Sequence, residues 1–306
     1  MSTELSDKDG RRARILWRDL IDFYNSVGRS DLARSCTQLA VSNGLWKDPS
    51  QRPIEYDPGI EAAPVLDPAA FDVCRYLETN FAAIKAEVDH VTASQGVADG
   101  YVPVHEPLVV VGAWDEVMFY EAGIRVASSA ARFPVTAAVI EGLPQPVRRA
   151  GVIMLSRLSP GTHLAPHCGF SNKRLRIHLG IQTPKDAFIR VKDRTLEWKE
   201  GKCLIFDDSF EHEVWHFGEG PRIVLLADMP HPRATAEPER AATDFGRKIE
   251  EFMSQRGISR IFRGADGTLM LEPDGQHSRM MERWIAELGI DSIAIDAQGA
   301  IEHGKG

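Results

Sequence analysis

Cysteine is scarce in this 306-residue sequence, and its distribution excludes two kinds of small-domain scaffold. The four cysteines are Cys36, Cys74, Cys168 and Cys203. They form no CxxC pair, which argues against structural zinc, and they are too few and too scattered for a disulfide framework. We expect buried or partly buried free thiols. Cys168 adjoins a histidine, but a lone thiol is more typical of packing than of chemistry.

Long apolar runs and an excess of positive charge are also missing. No stretch approaches roughly 18 consecutive apolar residues, and the N-terminus, MSTELSDKDGRRARILW, is polar where a signal peptide carries its apolar segment. The net charge is -8, with lysine and arginine scattered along the chain. We therefore expect a cytoplasmic protein that binds neither a membrane nor nucleic acid.

The apolar residues are spaced as in helices near the N-terminus and as in strands further on. Helical spacing predicts two helices within 11–45 and a third from Asp67-Pro68 to about Val88. From 108 to 228 the sequence consists of short apolar or alternating runs, which predict antiparallel strands with no helix between them. Such strands indicate a β-sandwich or barrel with helices packed outside.

The composition changes again after residue 232. We predict a helix over 237–255, a hairpin around Asp266-Gly267 and a helix through Met280, Trp284 and Leu288. The chain then has three regions: an N-terminal helical and extended region over 1–103, a β core over 104–235, and a small α/β appendage over 236–306.

Two histidines are the main candidates for a metal site. Ten histidines are present, and His167 in PGTHLAPHCGFSN and His212 in DDSFEHEVWH lie next to predicted strands. Two imidazoles at the mouth of a barrel suit Fe(II), which accepts nitrogen ligands and keeps positions open for small molecules. Zinc is the alternative metal, although finger-like spacing is absent and no third protein ligand is evident.

Cationic residues occur on two predicted core strands. Arg222 heads the apolar strand RIVLLADM, where an unpaired charge costs several kcal/mol. Its guanidinium can bind a ligand carboxylate such as that of 2-oxoglutarate, or a structural partner among Asp207, Asp208 and Asp228. In RLRIHLGI, Arg174, Arg176 and His178 share one strand face, either as a solvated stripe or as donors lining a pocket.

The chain resembles the aspartyl/asparaginyl β-hydroxylase family. The resemblance rests on PGTHLAPHCGFSNKRLRIHLGI, LEWKEGKCLIFDDSFEHEVWH and PRIVLLADMPHP, and more weakly on GAWDEVMFYEAG and GLWKDPSQRP. It implies a mainly β protein with flanking helices and a double-stranded β-helix (jelly-roll, cupin-like) core. It also implies that Fe(II) is bound by His167 and His212 as catalytic residues. The implied cosubstrate-binding residues are Trp114, Ser156, Arg176, His178 and Arg222. For Trp114, a core aromatic is the alternative.

The resemblance further implies a dioxygenase that uses 2-oxoglutarate and O2 as cosubstrates. It would hydroxylate the β-carbon of an aspartyl or asparaginyl group and release succinate and CO2. Because the N-terminal region has room for only two or three helices, we expect a small-molecule, peptide or carrier-protein-bound acidic amino acid as substrate. A lipid substrate is less expected.

Gly169 leaves alternatives to this activity open. Most 2-oxoglutarate oxygenases have Asp or Glu two residues after the first histidine, whereas this chain has Gly169. The family is similar in lacking that carboxylate, but halogenases also have a small residue there. A related halogenase and a non-catalytic jelly-roll protein that binds metal and 2-oxoglutarate are therefore the alternatives. Asp207 and Asp208 are candidates to orient a ligating imidazole, or simple turn formers.

Overall fold

The structure is a computed structural model, and most of the chain up to residue 234 is described in it. The described residues are 7–95, 99–104, 108–121, 123–234, 260–263, 269–272, 292–295 and 301–304. The chain divides into two compact units: Met1–Gly123 with Ala127–Thr235, and Ile124–Val126 with Ala236–Gly306. Within the described residues, no helix has the length and apolar character that a bilayer crossing requires.

Antiparallel strands make up the β core. Up to residue 230 they are β1 (Val65–Leu66), β2 (Val102–Pro103), β3 (Val109–Val111), β4 (Trp114–Glu121), β5 (Ile124–Arg125), β6 (Val152–Leu158), β7 (Thr162–His167), β8 (Arg174–Gln182), β9 (Ala187–Val191), β10 (Arg194–Glu197), β11 (Cys203–Phe206), β12 (His212–His216) and β13 (Arg222–Pro230). The larger sheet runs β1-β11-β8-β13-β6-β4-β2, and the smaller runs β10-β9-β12-β7-β3. Apart from β9 and β10, successive strands between β6 and β13 lie in different sheets, so most neighbouring strands are distant in sequence. This order is a jelly roll and confirms the predicted double-stranded β-helix core.

Three helices precede the core, as the sequence predicts. They are α1 (Asp7–Ser26), α2 (Ser30–Ser42) and α3 (Asp72–Gln95). A short 3-10 helix, Pro68–Ala70, comes before α3, and the Asp67 carboxylate caps it by accepting a hydrogen bond from the backbone nitrogen of Ala69. α1 and α2 form a small apolar cluster around Ile21 and Trp46.

The prediction that no helix interrupts the strands between 108 and 228 is wrong. The structure has α4 (Ala127–Arg132), α5 (Pro134–Glu141) and α6 (Gln145–Ala150) in that range. Pro134 stands in the first turn of α5, where its missing N–H costs nothing, and the alanine-rich sequence after it favours a helix. The run LVVVGAW also divides, at Gly112, into β3 and β4 of different sheets; Gly112 has φ +87°.

The two faces of the larger sheet have different environments. Side chains of β8 point alternately to the two faces of the sheet. Leu175, Ile177 and Leu179 lie on one face, in a buried apolar cluster that includes residues of α3 and α5. Arg176 and His178 point to the opposite face. That face lies between the two sheets, and the candidate site is there.

The described part of the C-terminal unit is a four-stranded antiparallel sheet. Its strands are β14 (Arg260–Arg263), β15 (Leu269–Glu272), β16 (Ser292–Ile295) and β17 (Ile301–Gly304), in the order β15-β14-β16-β17. Arg263 pairs with Leu269, which confirms the predicted hairpin. The predicted helices over 237–255 and through Met280, Trp284 and Leu288 lie outside the described residues. The division into three regions stays a prediction.

Candidate metal centre

His167 and His212 are brought together by neighbouring strands of the smaller sheet. His167 ends β7, His212 begins β12, and the two residues are direct partners across the strands, with ring centroids 4.0 Å apart. Nδ1 of His167 donates to the Ala165 carbonyl at 2.8 Å, and Nδ1 of His212 donates to the Phe210 carbonyl at 2.9 Å. Because a carbonyl can only accept, each proton is on Nδ1, and each Nε2 keeps its lone pair for a metal.

Burial keeps this pair of imidazoles uncharged. It lowers the pKa of His212 to about 4 and that of His167 well below its usual value, the neighbouring imidazole adding to the effect on His167. Neutral imidazole is the form that binds metal ions. Among the residues that the structure describes, no group of three or more His, Cys, Asp or Glu is arranged to hold a metal. The histidine pair therefore offers two nitrogens, one Nε2 from each ring, that could bind a metal.

Gly169 lies against the carboxylate of Asp208. A Cβ at Gly169 would lie 2.5 Å from the Asp208 Cγ, closer than atoms can approach. The backbone nitrogen of Gly169 also donates to the Asp208 carbonyl at 2.6 Å, which ties the loop after β7 to the turn before β12. A side chain at position 169 would therefore require the Asp208 carboxylate to move.

Arg222 is a buried cation without a carboxylate partner in the described residues. Its side chain stacks over Trp198, with Cζ 4.8 Å from the ring centroid, and its Nε has no hydrogen-bond partner. Burial lowers its pKa to about 9. Within the described part of the chain, no ion pair joins Arg222 to Asp207, Asp208 or Asp228, and the last two bind Arg176 instead. An anionic ligand group would supply the missing partner.

His178 offers a second donor without a partner. The Trp198 indole donates to His178 Nδ1 at 3.1 Å, so the proton of this imidazole is on Nε2, which is buried and unpaired. Burial lowers the pKa of His178 well below its usual value. Close by in the fold, the indole of Trp114 donates to Ser156 Oγ at 3.1 Å. The serine hydroxyl proton therefore stays available to another acceptor.

Aromatic rings connect these donors to the histidine pair. The Phe206 ring lies 5.7 Å from that of His212 and meets the His178 ring edge-on at 5.1 Å. Trp198 then links His178 to Arg222. The interior thus has the two histidine Nε2 nitrogens at one end and, linked to them by these rings, the Nε2 of His178 and the Nε of Arg222. This arrangement fits a metal chelated by a dicarboxylate such as 2-oxoglutarate.

Arg176 and Arg174, on the same face of β8, already have hydrogen-bond partners. Arg176 contacts Asp228 at 2.9 Å and Asp208 at 3.1 Å. Although burial opposes it, these two carboxylates raise the pKa of Arg176 above its ordinary value. Arg174 donates to the Ala150 carbonyl at 3.3 Å. The role of Arg176 as a donor to a cosubstrate or substrate carboxylate stays a prediction.

Two aromatic residues of the site were not assigned from the sequence. Trp198 orients His178 and covers Arg222, and Phe206 separates His178 from His212. Both lie within LEWKEGKCLIFDDSFEHEVWH, and the alternation of β11 could have placed Phe206 on the inner face. Of the two acidic candidates, Asp207 is a turn former that accepts from Ser209, whereas Asp208 lies against Gly169 and binds Arg176.

Comparison with known proteins gives a consistent result. The family described as "Aspartyl/Asparaginyl beta-hydroxylase" matches residues 78–232. The human aspartyl/asparaginyl beta-hydroxylase is 34% identical over 226 residues, which cover 72% of this chain and 29% of that protein. The ornithine lipid ester-linked acyl 2-hydroxylase of Rhizobium tropici is 31% identical over 175 residues, which cover 55% of this chain and 61% of that protein. This chain therefore spans less than two thirds of either relative.

Among solved structures, similarity extends to an oxidoreductase of the 2OG-Fe(II) oxygenase family from Burkholderia pseudomallei. It is 12% identical, with a TM-score of 0.34, and the alignment covers 60% of this chain and 99% of that one. At this level the likeness adds nothing to the fold assignment, which rests on the order of the strands.

Proposed function

Because this chain belongs to the aspartyl/asparaginyl β-hydroxylase family, we propose that it is an Fe(II)- and 2-oxoglutarate-dependent hydroxylase. The observation that carries the proposal is the pair His167 and His212, with both Nδ1 protons tied to backbone carbonyls and both Nε2 lone pairs available. When bound, iron and 2-oxoglutarate supply the oxidation by O2: one oxygen atom enters a substrate C–H bond, and the other converts 2-oxoglutarate to succinate and CO2.

Six side chains of the site have a part in this proposal. His167 and His212 hold the metal. Arg222, with the Ser156 hydroxyl, binds the distal carboxylate of 2-oxoglutarate, and His178 donates from Nε2 to a cosubstrate carboxylate. Trp114 contributes to the wall of the pocket, and the apolar strands exclude water from the reacting groups.

We propose that the substrate is an aspartyl or asparaginyl group in a small molecule, a peptide or a carrier-bound amino acid, hydroxylated at its β-carbon. Support comes from the human relative, whose name specifies this residue class and which aligns with 72% of the chain. The rhizobial relative, named for a lipid substrate, supports acyl 2-hydroxylation as the second candidate. Turnover of mixed aspartyl and asparaginyl peptides, free amino acids, carrier-bound aspartate and an ornithine lipid, read by mass, separates the two.

The environment of Gly169 favours hydroxylation over halogenation. Halogenation needs a halide at the metal in the space that a small residue leaves open. In this structure the Asp208 carboxylate fills the space beside Gly169, and its negative charge disfavours a second anion there. Product mass after turnover in chloride tests this: we expect addition of oxygen, and addition of chlorine would contradict it.

The central test measures iron binding and succinate release together. The protein is supplied with Fe(II), ascorbate and 2-oxoglutarate under air, with and without candidate substrates. His212→Ala should lose both iron and succinate formation. His163→Ala is the matched control, because His163 lies on the same strand as His167 but stacks on Trp215. If His212→Ala retains both properties, the proposal is wrong. Bound metal without succinate from any substrate would favour a non-catalytic binding protein.

A further inference from the structure

An extended N-terminal segment, residues 50–57, crosses both loops that flank the histidine pair; we call it the crossing segment. On the His212 side it pairs with the turn before β12. Gln51 forms an antiparallel bridge with Phe210, and the backbone nitrogen of Glu211 donates to the Ser50 carbonyl at 2.6 Å. The segment thereby fixes the backbone immediately before His212.

Further along, the same segment pairs with the loop after His167. The backbone nitrogen of Glu55 donates to the Phe170 carbonyl at 2.9 Å. The Asn172 side chain bonds Asp57 twice, accepting from its backbone nitrogen at 2.8 Å and donating to its carbonyl at 2.9 Å. One short stretch of backbone therefore spans two loops that are about 40 residues apart in sequence.

One side chain on each side completes these contacts. Gln51 is only 1% exposed, and its Nε2 donates to Asp207 Oδ2 and to Ser209 Oγ, both at 3.0 Å. From α1, Arg18 donates to the carbonyls of Cys168 at 2.8 Å and Gly169 at 3.1 Å. These two carbonyls directly follow His167.

A metal centre with two protein ligands depends on support from the surrounding backbone more than a centre with three protein ligands does. Each missing ligand removes a constraint on the metal, so the separation of the two imidazoles must be set by the surrounding backbone. We propose that Arg18 and Gln51 are positioning residues for the metal pair, Arg18 acting on the loop after His167 and Gln51 on the turn before His212. This inference rests on the proposed function.

The test is a Co(II) titration of the full-length chain, followed by visible absorption and calorimetry, without cosubstrate or turnover. Arg18→Met and Gln51→Leu remove the donors but keep most of the side-chain volume. Each should weaken Co(II) binding about 10- to 100-fold, the usual effect of removing support from a ligating residue. Arg34→Met and Gln38→Leu make the same changes at exposed positions on α2 and should bind Co(II) as the wild type does.

A general loss of stability is distinguished by conservative rescue. Arg18→Lys can reach one of the two carbonyls, so its Co(II) affinity should fall between those of wild type and Arg18→Met. Wild-type Co(II) affinity in folded Arg18→Met and Gln51→Leu would overturn the inference. If either of these does not fold, Arg18→Lys decides: unchanged affinity there also overturns it. Wild-type protein that binds no Co(II) would instead refute the proposed metal site itself.

Discussion

Arg222 leads to a prediction in which a substitution stabilises the fold while it destroys ligand binding. The side chain is 3% exposed, and burial lowers its pKa from the ordinary value of arginine to about 9. That difference corresponds to about 5 kcal/mol against the charged form in the folded state. Because the folded-state pKa lies below the unfolded one, the full cost applies below about pH 9 and disappears as the pH rises toward the ordinary pKa of arginine. Stacking on Trp198 is worth about 2 kcal/mol, which leaves a net cost of about 3 kcal/mol.

Arg222→Met removes the charge and keeps an unbranched side chain of similar length. We expect the metal-free protein to gain about 1–4 kcal/mol of stability, since a well-packed apolar residue is favoured over an unpaired buried ion. For a domain of this size, the melting temperature should rise by about 2–16 °C. Calorimetric melts with Co(II), with and without 2-oxoglutarate, give the second readout. Ligand at about 100 times its Kd stabilises the wild type by about 2.7 kcal/mol, and the variant should lose that shift.

Arg157→Met is the matched control with the opposite expected sign. Arg157 binds Asp99 and contacts Asp115 at 3.0 Å, so its removal leaves two carboxylates without their partner and lowers the melting temperature. If Arg222→Met melts below the wild type, as Arg157→Met does, then the buried charge of Arg222 does not destabilise the fold. If Arg222→Met keeps the stabilisation by 2-oxoglutarate, then Arg222 is not the partner of a 2-oxoglutarate carboxylate.

Four further predictions concern the site. With the pKa of His212 at about 4 and that of His167 also lowered, Co(II) affinity should hold from about pH 7.5 to pH 6, and a midpoint near 6.5 would contradict this. The metal-free protein should lose melting temperature as the pH falls from 6.5 toward 4, since only the unfolded chain takes up these protons. Gly169→Asp should lower the free energy of unfolding by about 1–3 kcal/mol, because the new side chain overlaps the Asp208 carboxylate. Adding Asp208→Ala should restore part of that stability in thermal unfolding. A Gly169→Asp variant as stable as the wild type would refute the overlap. Trp198→Phe keeps an aromatic ring but loses the indole donor, so calorimetry should show about 10-fold weaker 2-oxoglutarate binding, and an unchanged Kd would be the contrary result.

The strands of the core could be predicted because their signal is local. Alternation along RLRIHLGI places Leu175 and Ile177 on one face and Arg176 and His178 on the other, and the structure has that division. The helices α4 to α6 were missed because an apolar, alanine-rich stretch between strands is compatible with both the helical and the strand spacing of apolar residues. Only packing against the sheet decides between the two.

The candidate site was predicted in part for the same reason. His167 and His212 stand in recognisable motifs, and the cost of an unpaired cation at Arg222 can be argued from one strand. The partners of Arg176 could not be found this way. Asp228 is its neighbour only through the register of β13 on β8, and Asp208 reaches it from a turn before another strand.

The sequence by itself determined the alternation of the strands, the residue types at the site and the family to which they belong. Only the tertiary structure decided which carboxylates pair with Arg176, which donors are left for a ligand, and that Arg18 and Gln51 support the loops around the histidines. The physical reason is the jelly-roll connection: most strands adjacent in a sheet are far apart in the chain, so contacts between their side chains depend on a register that no local pattern encodes.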